Sequence, residues 1–369
     1  MTTSIEKSTD SFPFYRFSGT HKEIGQQYGK ACKALIDRHL ELVLNRLKKN
    51  FDTSIEDIAT LALTYKPYIE KYAPFLAEEI EGMAEGADIS IGEAYLLQVR
   101  AELNTHFANL NECTTFAVDS KGTLDGSPII GQNADLPAFY KEIGVVIEFV
   151  PDEGPAHLML TPAGQISYIG INDRGMGVFA NYITCDDWRE GFPRYMFSRT
   201  VLNAESVKEA EAIISNTYRG SSRNLILADK EDNLIDLEVT PNKIGRVEPQ
   251  HGILAHSNHF ISEALLGDER SKGASLKNSH LRLQRMTSLL EENYGKLSSE
   301  KMQEILRDRE NYPNCICQIP GDELHQAPGE KISDVITFAS VIAEPAKGKL
   351  WIAIGPPNEY EYKLYTFSK

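Results

Sequence analysis

The sequence predicts an α+β protein built as one structural domain. Three observations predict it. Apolar residues recur at helical spacing up to about residue 110. From Cys113 onward, short β-rich runs alternate with turn residues. No Pro/Gly/Ser-rich linker separates the two parts. The expected parts are a helical residues 1–112 and a sheet-rich residues 113–369.

Element by element, residues 1 to about 12 read as disordered. Ile24, Tyr28, Cys32, Ile36, Leu40, Val43 and Leu47 mark one face of a helix between His21 and Phe51. Ser54 opens a second helical stretch, with acids in its first turn. A third begins at Ser90, where Glu93 completes a capping box. Thr114–Val118 is short and β-rich, and the two glycines in Asp119–Ser127 indicate a hairpin turn. GVVIEFV, HLMLT, ISYIGI and GVFANYI follow, a spacing that predicts antiparallel sheet. Helices return at Ala204–Ser215 and twice within Leu281–Leu306, and ITFASVIAEP and LWIAIG close the chain as strands.

Of 369 residues, 41% are hydrophobic and 25% charged, the balance of a soluble globular protein. A net charge of -15 repels phosphate backbones, so no nucleic-acid partner is expected. The opening MTTSIEKSTDSFPFY lacks the apolar core of a secretory signal, and no apolar run is long enough to span a bilayer. The closing YTFSK carries no lipidation or retention signal. The five cysteines are few and odd in number, which argues for reduced thiols in the cytoplasm rather than a disulfide framework.

On residue statistics alone, Cys113 in NECTTFAV reads as a small buried hydrophobe. The wider pattern changes that weighing. FSGTHKEIGQQYGKA (with Gly19, Glu23 and Gly25), ECTTFAV, GQNADL, NDRGMGVFANYI with GFP, HSNHF and TFASVIAEP…LWIAIGPP occur in that order. Together they resemble the acyl-coenzyme A:6-aminopenicillanate acyltransferase family, peptidase family C45, over nearly the whole chain. The resemblance implies an N-terminal-nucleophile hydrolase fold, a four-layer αββα sandwich of two antiparallel sheets between helix layers. It also implies self-cleavage between Glu112 and Cys113, with Cys113 as nucleophile.

The chemistry of such a site is simple. A free α-amine has a pKa of about 8 and can act as a general base near neutrality, which a peptide nitrogen cannot. If Cys113 became a chain terminus, one residue would supply both nucleophile and base. By the same resemblance Asn258 is an oxyanion donor, Asp135 orients the new amine, and Asn181 and Tyr182 line the pocket or complete the oxyanion hole. Each also has a structural reading: a turn Asn, a strand-end Asp, a packed Tyr. Where the family shows a cysteine followed by arginine, this chain has Cys317-Gln318, which puts a penicillin-type carboxylate substrate in doubt. Arg282 or Arg285 could substitute, although helix surface is the expected place for both.

His256 with His259, and Cys315 with Cys317, are weak metal patterns without further ligands nearby, so no metal or cofactor is expected. The leading expectation is hydrolysis or transfer of an acyl group of a small N-acyl amide through a thioester on Cys113. An acyl-coenzyme A-dependent acyltransferase, with an acyl thioester as partner, is the alternative. A non-catalytic binding protein on the same fold ranks next, and a thiol redox or metal protein last. The expected quaternary unit is a heterodimer of the two cleavage fragments.

Overall fold

The computed structural model describes residues 7–48, 54–103, 112–321 and 334–368. Strand β1 (Phe14–Gly19) leads into helices α1 (His21–Lys48), α2 (Ile55–Ala62), α3 (Lys66–Tyr72), α4 (Pro74–Ala87) and α5 (Ile91–Leu103). Next come β2 (Glu112–Val118), β3 (Ile129–Pro137), α6 (Tyr140–Ile143), β4 (Gly144–Pro151), β5 (His157–Pro162), β6 (Ile169–Asn172) and β7 (Gly177–Phe179). Helices α7 (Met196–Val201) and α8 (Val207–Ser215) precede β8 (Arg223–Ala228), β9 (Leu234–Val239), β10 (Ile244–Val247) and β11 (Ile253–His256). The chain ends with α9 (Gly273–Glu292), α10 (Ser299–Leu306), β12 (Val335–Glu344), β13 (Lys349–Ile354) and β14 (Lys363–Thr366).

The helical part forms where its local signals lie. All seven apolar residues of the α1 stripe are buried. Ser54 caps α2 by accepting from the Asp57 N–H, and Ser90 and Glu93 exchange the two bonds of a capping box at α5. Helices α1 and α4 touch backbone to backbone. A Cβ on Gly25 would stand 2.2 Å from the Glu79 carbonyl oxygen, and one on Gly82 2.2 Å from that of Lys22. Only glycine fits there, and an alanine would cost about 1–3 kcal/mol by overpacking.

Two sheets stack in the middle. One runs β1-β4-β5-β6-β7-β8-β9-β10, the other β11-β2-β3-β12-β13-β14. β2 and β3 pack against β7 and β8, which joins the sheets face to face. Helix α1 covers β1 and β4 on one outside, with α7 and α8 on β7 and β9, while α9 and α10 cover β2, β11, β3 and β12 on the other. Hence β3, β4, β5, β8, β9 and β12 are buried at nearly every position, and polar residues on them must find partners inside.

Two expectations change. One sheet is not purely antiparallel, because β1 pairs parallel with β4, Phe14 opposite Val146. Residues 7–12, expected to be disordered, are held: Ser8 exchanges backbone bonds of 2.8 and 2.9 Å with Glu359 and Glu361, and Phe12 is buried against Phe338. Residues 1–6 lie outside the described part. The bond between Glu112 and Cys113 lies within β2, with Glu112 opposite Asp135.

Candidate active site

Cys113 is the second residue of β2, opposite Ala134 of β3. It is 4% exposed. Burial pushes its thiol up to about 12, and the Asp135 charge adds to this. A bond from the Asp135 backbone and the charges of Arg282 and Arg194 oppose the rise. In the intact chain the thiol is therefore protonated at neutral pH and needs a base to react.

Side chains from three distant segments grip the Cys113 backbone. Its N–H donates to Asn258 Oδ1 at 2.8 Å. Its carbonyl accepts from Asn181 Nδ2 at 2.9 Å and from Arg282 Nη1 at 2.6 Å. Arg282 also donates to Thr114 Oγ1 at 2.9 Å and to Asn258 Oδ1 at 2.8 Å, and Asn278 Oδ1 accepts from its Nε at 2.6 Å. The fork geometry of a guanidinium suits such several-point contact.

Each group is held in turn. Asn258 Nδ2 donates to the Tyr182 carbonyl at 2.8 Å, so Tyr182 meets the site through its backbone. Asn181 accepts from Thr115 Oγ1 at 2.6 Å, and its N–H donates to Asn224 Oδ1. Asn224 donates to Asp236 Oδ1 at 3.1 Å. Asp135 is fully buried and accepts from Thr337 Oγ1 at 2.6 Å.

Arg282 is 1% exposed and central, not a solvated helix residue. Its signal was present but quiet: Asn278, Arg282, Met286 and Leu290 share the buried face of α9 at four-residue spacing. Arg285 is paired with Asp308 at 2.6 Å and Glu310 at 2.7 Å, away from Cys113. Gln318 is buried, but its Nε2 donates to the Cys315 carbonyl at 2.6 Å. It approaches the site only through its backbone, donating at 2.9 Å to the Thr337 hydroxyl that binds Asp135.

His256 is committed to Glu238 at 2.8 Å, and His259 to Ser279 Oγ at 2.7 Å. All five cysteines are free thiols. A surface cleft of about 600 Å3 beside His21, Phe75 and Asp152 contains none of the groups around Cys113.

Two stacked sheets faced by helices on both outsides make the four-layer sandwich of the N-terminal-nucleophile hydrolase fold. A crystal structure of a variant of the conjugated bile acid hydrolase from Clostridium perfringens shares it, with TM-score 0.50 and 16% identity, covering 70% of this chain and 98% of that one. The profile of the acyl-coenzyme A:6-aminopenicillanic acid acyl-transferase family matches residues 123–359, and the chain belongs to that family. It is 26% identical over 356 residues, 95% of each chain, to the acyl-coenzyme A:6-aminopenicillanic-acid-acyltransferase 40 kDa form of Emericella nidulans. It is 20% identical over 338 residues to an uncharacterized protein of Archaeoglobus fulgidus, covering 78% of this chain and 56% of that one. The family is one of acyl-transferring enzymes. Among the described residues no helix is long and apolar enough to cross a membrane.

Proposed function

We propose that this chain is a self-processing enzyme that cleaves a small N-acyl amide through a thioester on Cys113. The observation that carries this is the three-sided grip on the Cys113 peptide by Asn258, Asn181 and Arg282. Burying that many polar groups around one residue's backbone is costly unless each is bonded, and a site is where such cost is retained.

In the precursor the Cys113 sulfur attacks the Glu112 carbonyl carbon. The C–N bond breaks as the nitrogen takes the thiol proton and leaves as a free amine, and water hydrolyses the resulting thioester to a Glu112 carboxylate and the thiol. In the mature enzyme the α-amine takes the thiol proton, and the thiolate attacks the substrate carbonyl. The tetrahedral oxyanion collapses, the leaving amine takes the proton back, and water resolves the acyl-enzyme.

Asn258 Oδ1 orients the amine where it now accepts from the peptide N–H. Its Nδ2 is the oxyanion donor, exchanging the Tyr182 carbonyl for the developing charge. Asp135 stabilises the ammonium form, and Asn181 and Tyr182 border the acyl group. Acyl transfer to an amine in place of water is the second reading, favoured by the Emericella nidulans relative. The partner is a small acyl amide or acyl thioester rather than nucleic acid, and free buried thiols suit a reducing, cytoplasmic setting.

The test is the intact mass of purified protein with N-terminal sequencing of its fragments. Wild type should yield two chains, the second starting at Cys113, and Cys113→Ala should stay whole. Active wild type that remains uncut would overturn the proposal.

A further inference from the structure

One buried imidazole joins the two asparagines that hold Cys113. Asp236 and Glu238 lie two residues apart on β9, so their side chains share a face, and both are fully buried. From the other sheet His256, at the end of β11 and also fully buried, reaches both. Its Nε2 lies 2.8 Å from Glu238 Oε1 and 3.8 Å from Asp236 Oδ2, and its Nδ1 lies 2.7 Å from the Ser257 carbonyl oxygen.

Both ring nitrogens face acceptors, so both carry a proton and the ring is charged. Glu238 stays ionised, because two backbone N–H groups, the Ser262 hydroxyl and the ring itself fill its two oxygens. Burial opposes the charged ring, but Asp236 and Glu238 outweigh it and hold His256 at about 9. The other titratable groups around it belong to its own loop and to α9. The His259 ring is 6.5 Å away, and burial, helped by the His256 charge, pushes it down to about 3. From α9, Arg282 donates to Asn258 Oδ1, and His280 lies 4.0 Å from the His259 ring. Strand β2 presents the neutral Thr115, whose hydroxyl donates to the His256 carbonyl at 3.4 Å, and β8 presents the neutral Asn224.

Each carboxylate leads to one asparagine. Asp236 Oδ1 accepts from Asn224 Nδ2 at 3.1 Å, Asn224 Oδ1 accepts from the Asn181 N–H, and Asn181 Nδ2 donates to the Cys113 carbonyl at 2.9 Å. Glu238 ties down Ile261 and Ser262, so with His256 it fixes both ends of the segment whose Asn258 Oδ1 takes the Cys113 N–H. Without the charge on the ring, two carboxylates share a buried face with no counter-ion between them, and one must move or take up a proton. We propose that His256 is a positioning residue: as the shared counter-ion of Asp236 and Glu238 it holds Asn181 and Asn258 on Cys113, and turnover falls when it is discharged. The inference rests on the reading of Cys113 as an amide-cleaving nucleophile.

The test is the pH profile of kcat for mature wild type, Asp236→Asn and Glu238→Gln on the p-nitroanilides of acetic, butanoic and phenylacetic acids, with folding checked at each pH. Both variants keep an acceptor oxygen and remove one charge facing His256. Wild-type kcat should fall at least about tenfold between about pH 8 and 10.5. In either variant that folds, the midpoint of that fall should move about one pH unit or more toward acid, the size of effect a neighbouring opposite charge has. A merely structural carboxylate would lower the melt and leave the midpoint in place. That outcome, or no alkaline fall in wild type, overturns the inference and leaves the amidase reading standing. If no amide is cleaved, the amidase reading fails, and hydrogen exchange in the Cys113→Ala chain decides the inference. Corrected for the intrinsic rise with pH, exchange of the amide at position 113 should speed at least about fivefold between about pH 8 and 10, and at lower pH once Glu238→Gln is added. Protection that does not change with pH overturns it.

Discussion

Around Cys113 one amide side chain serves three contacts at once, one of them from Arg282. Asn258 turns its oxygen to the Cys113 N–H and its nitrogen to the Tyr182 carbonyl. If its Nδ2 serves the oxyanion, Asn258→Ala should lower turnover by about a hundredfold or more, with substrate affinity changed far less. Self-cleavage should persist at a reduced rate, since its oxyanion forms on the Glu112 carbonyl and not on a substrate carbonyl. Turnover per cleaved molecule and a thermal melt, measured together, decide it: normal turnover with a lowered melt would make Asn258 a turn residue only. Cys113, Asp135, Asn181 and Asn258 stood out as candidates because each lies in a short motif. Arg282 did not, because an arginine on a polar helix reads as surface until α9 is seen pressed against β2.

The loop after β11 carries Asn258, and a strand of the other sheet fastens it. Glu238 on β9 accepts from His256 Nε2 at 2.8 Å, Ile261 N–H at 2.7 Å, Ser262 N–H at 3.0 Å and Ser262 Oγ at 2.5 Å. Burial alone would lower the His256 pKa, but the Asp236 charge and the Glu238 bond outweigh it and hold His256 at about 9. A histidine raised above its usual 6.5 stabilises the fold fully below that value and loses the contribution as pH rises through about 9. Asp236, raised to about 7 by burial, works against stability as pH climbs from its usual 3.8 to 7, below that window. The melting temperature should therefore fall between pH 7.5 and 10, and the fall should be shallower in His256→Gln. An identical alkaline slope in the variant would exclude His256 as its source. At this scale the caps of α2 and α5 and the stripe of α1 were readable, since their causes are local. Strand β9 was not, because its buried Asp236 and Glu238 break the apolar pattern that marks an inner strand.

Across the whole molecule the two expected fragments share one core. Residues before 113 supply β1, which completes a sheet against β4, and Glu79, which neutralises Arg199. Separating them would expose a sheet edge and leave a buried arginine unpaired, a loss of about 3–5 kcal/mol for the ion pair alone. After cleavage the fragments should co-elute in native size-exclusion chromatography and part only in denaturant. Release of residues 1–112 under native conditions would contradict a shared core.

The sequence by itself determined the class of fold, the change from a mainly helical part to a strand-rich one, and the family. These follow from local periodicity, capping and short motifs, which need no knowledge of distant contacts. The tertiary structure alone decided that β1 runs parallel to β4, that Arg282 rather than Gln318 reaches Cys113, and that His256 meets two carboxylates of the other sheet. Those depend on which buried charges and peptide groups the folding chain brings within about 3–6 Å across large sequence separations. Burial and pairing energies are set by that meeting, and no local pattern encodes it.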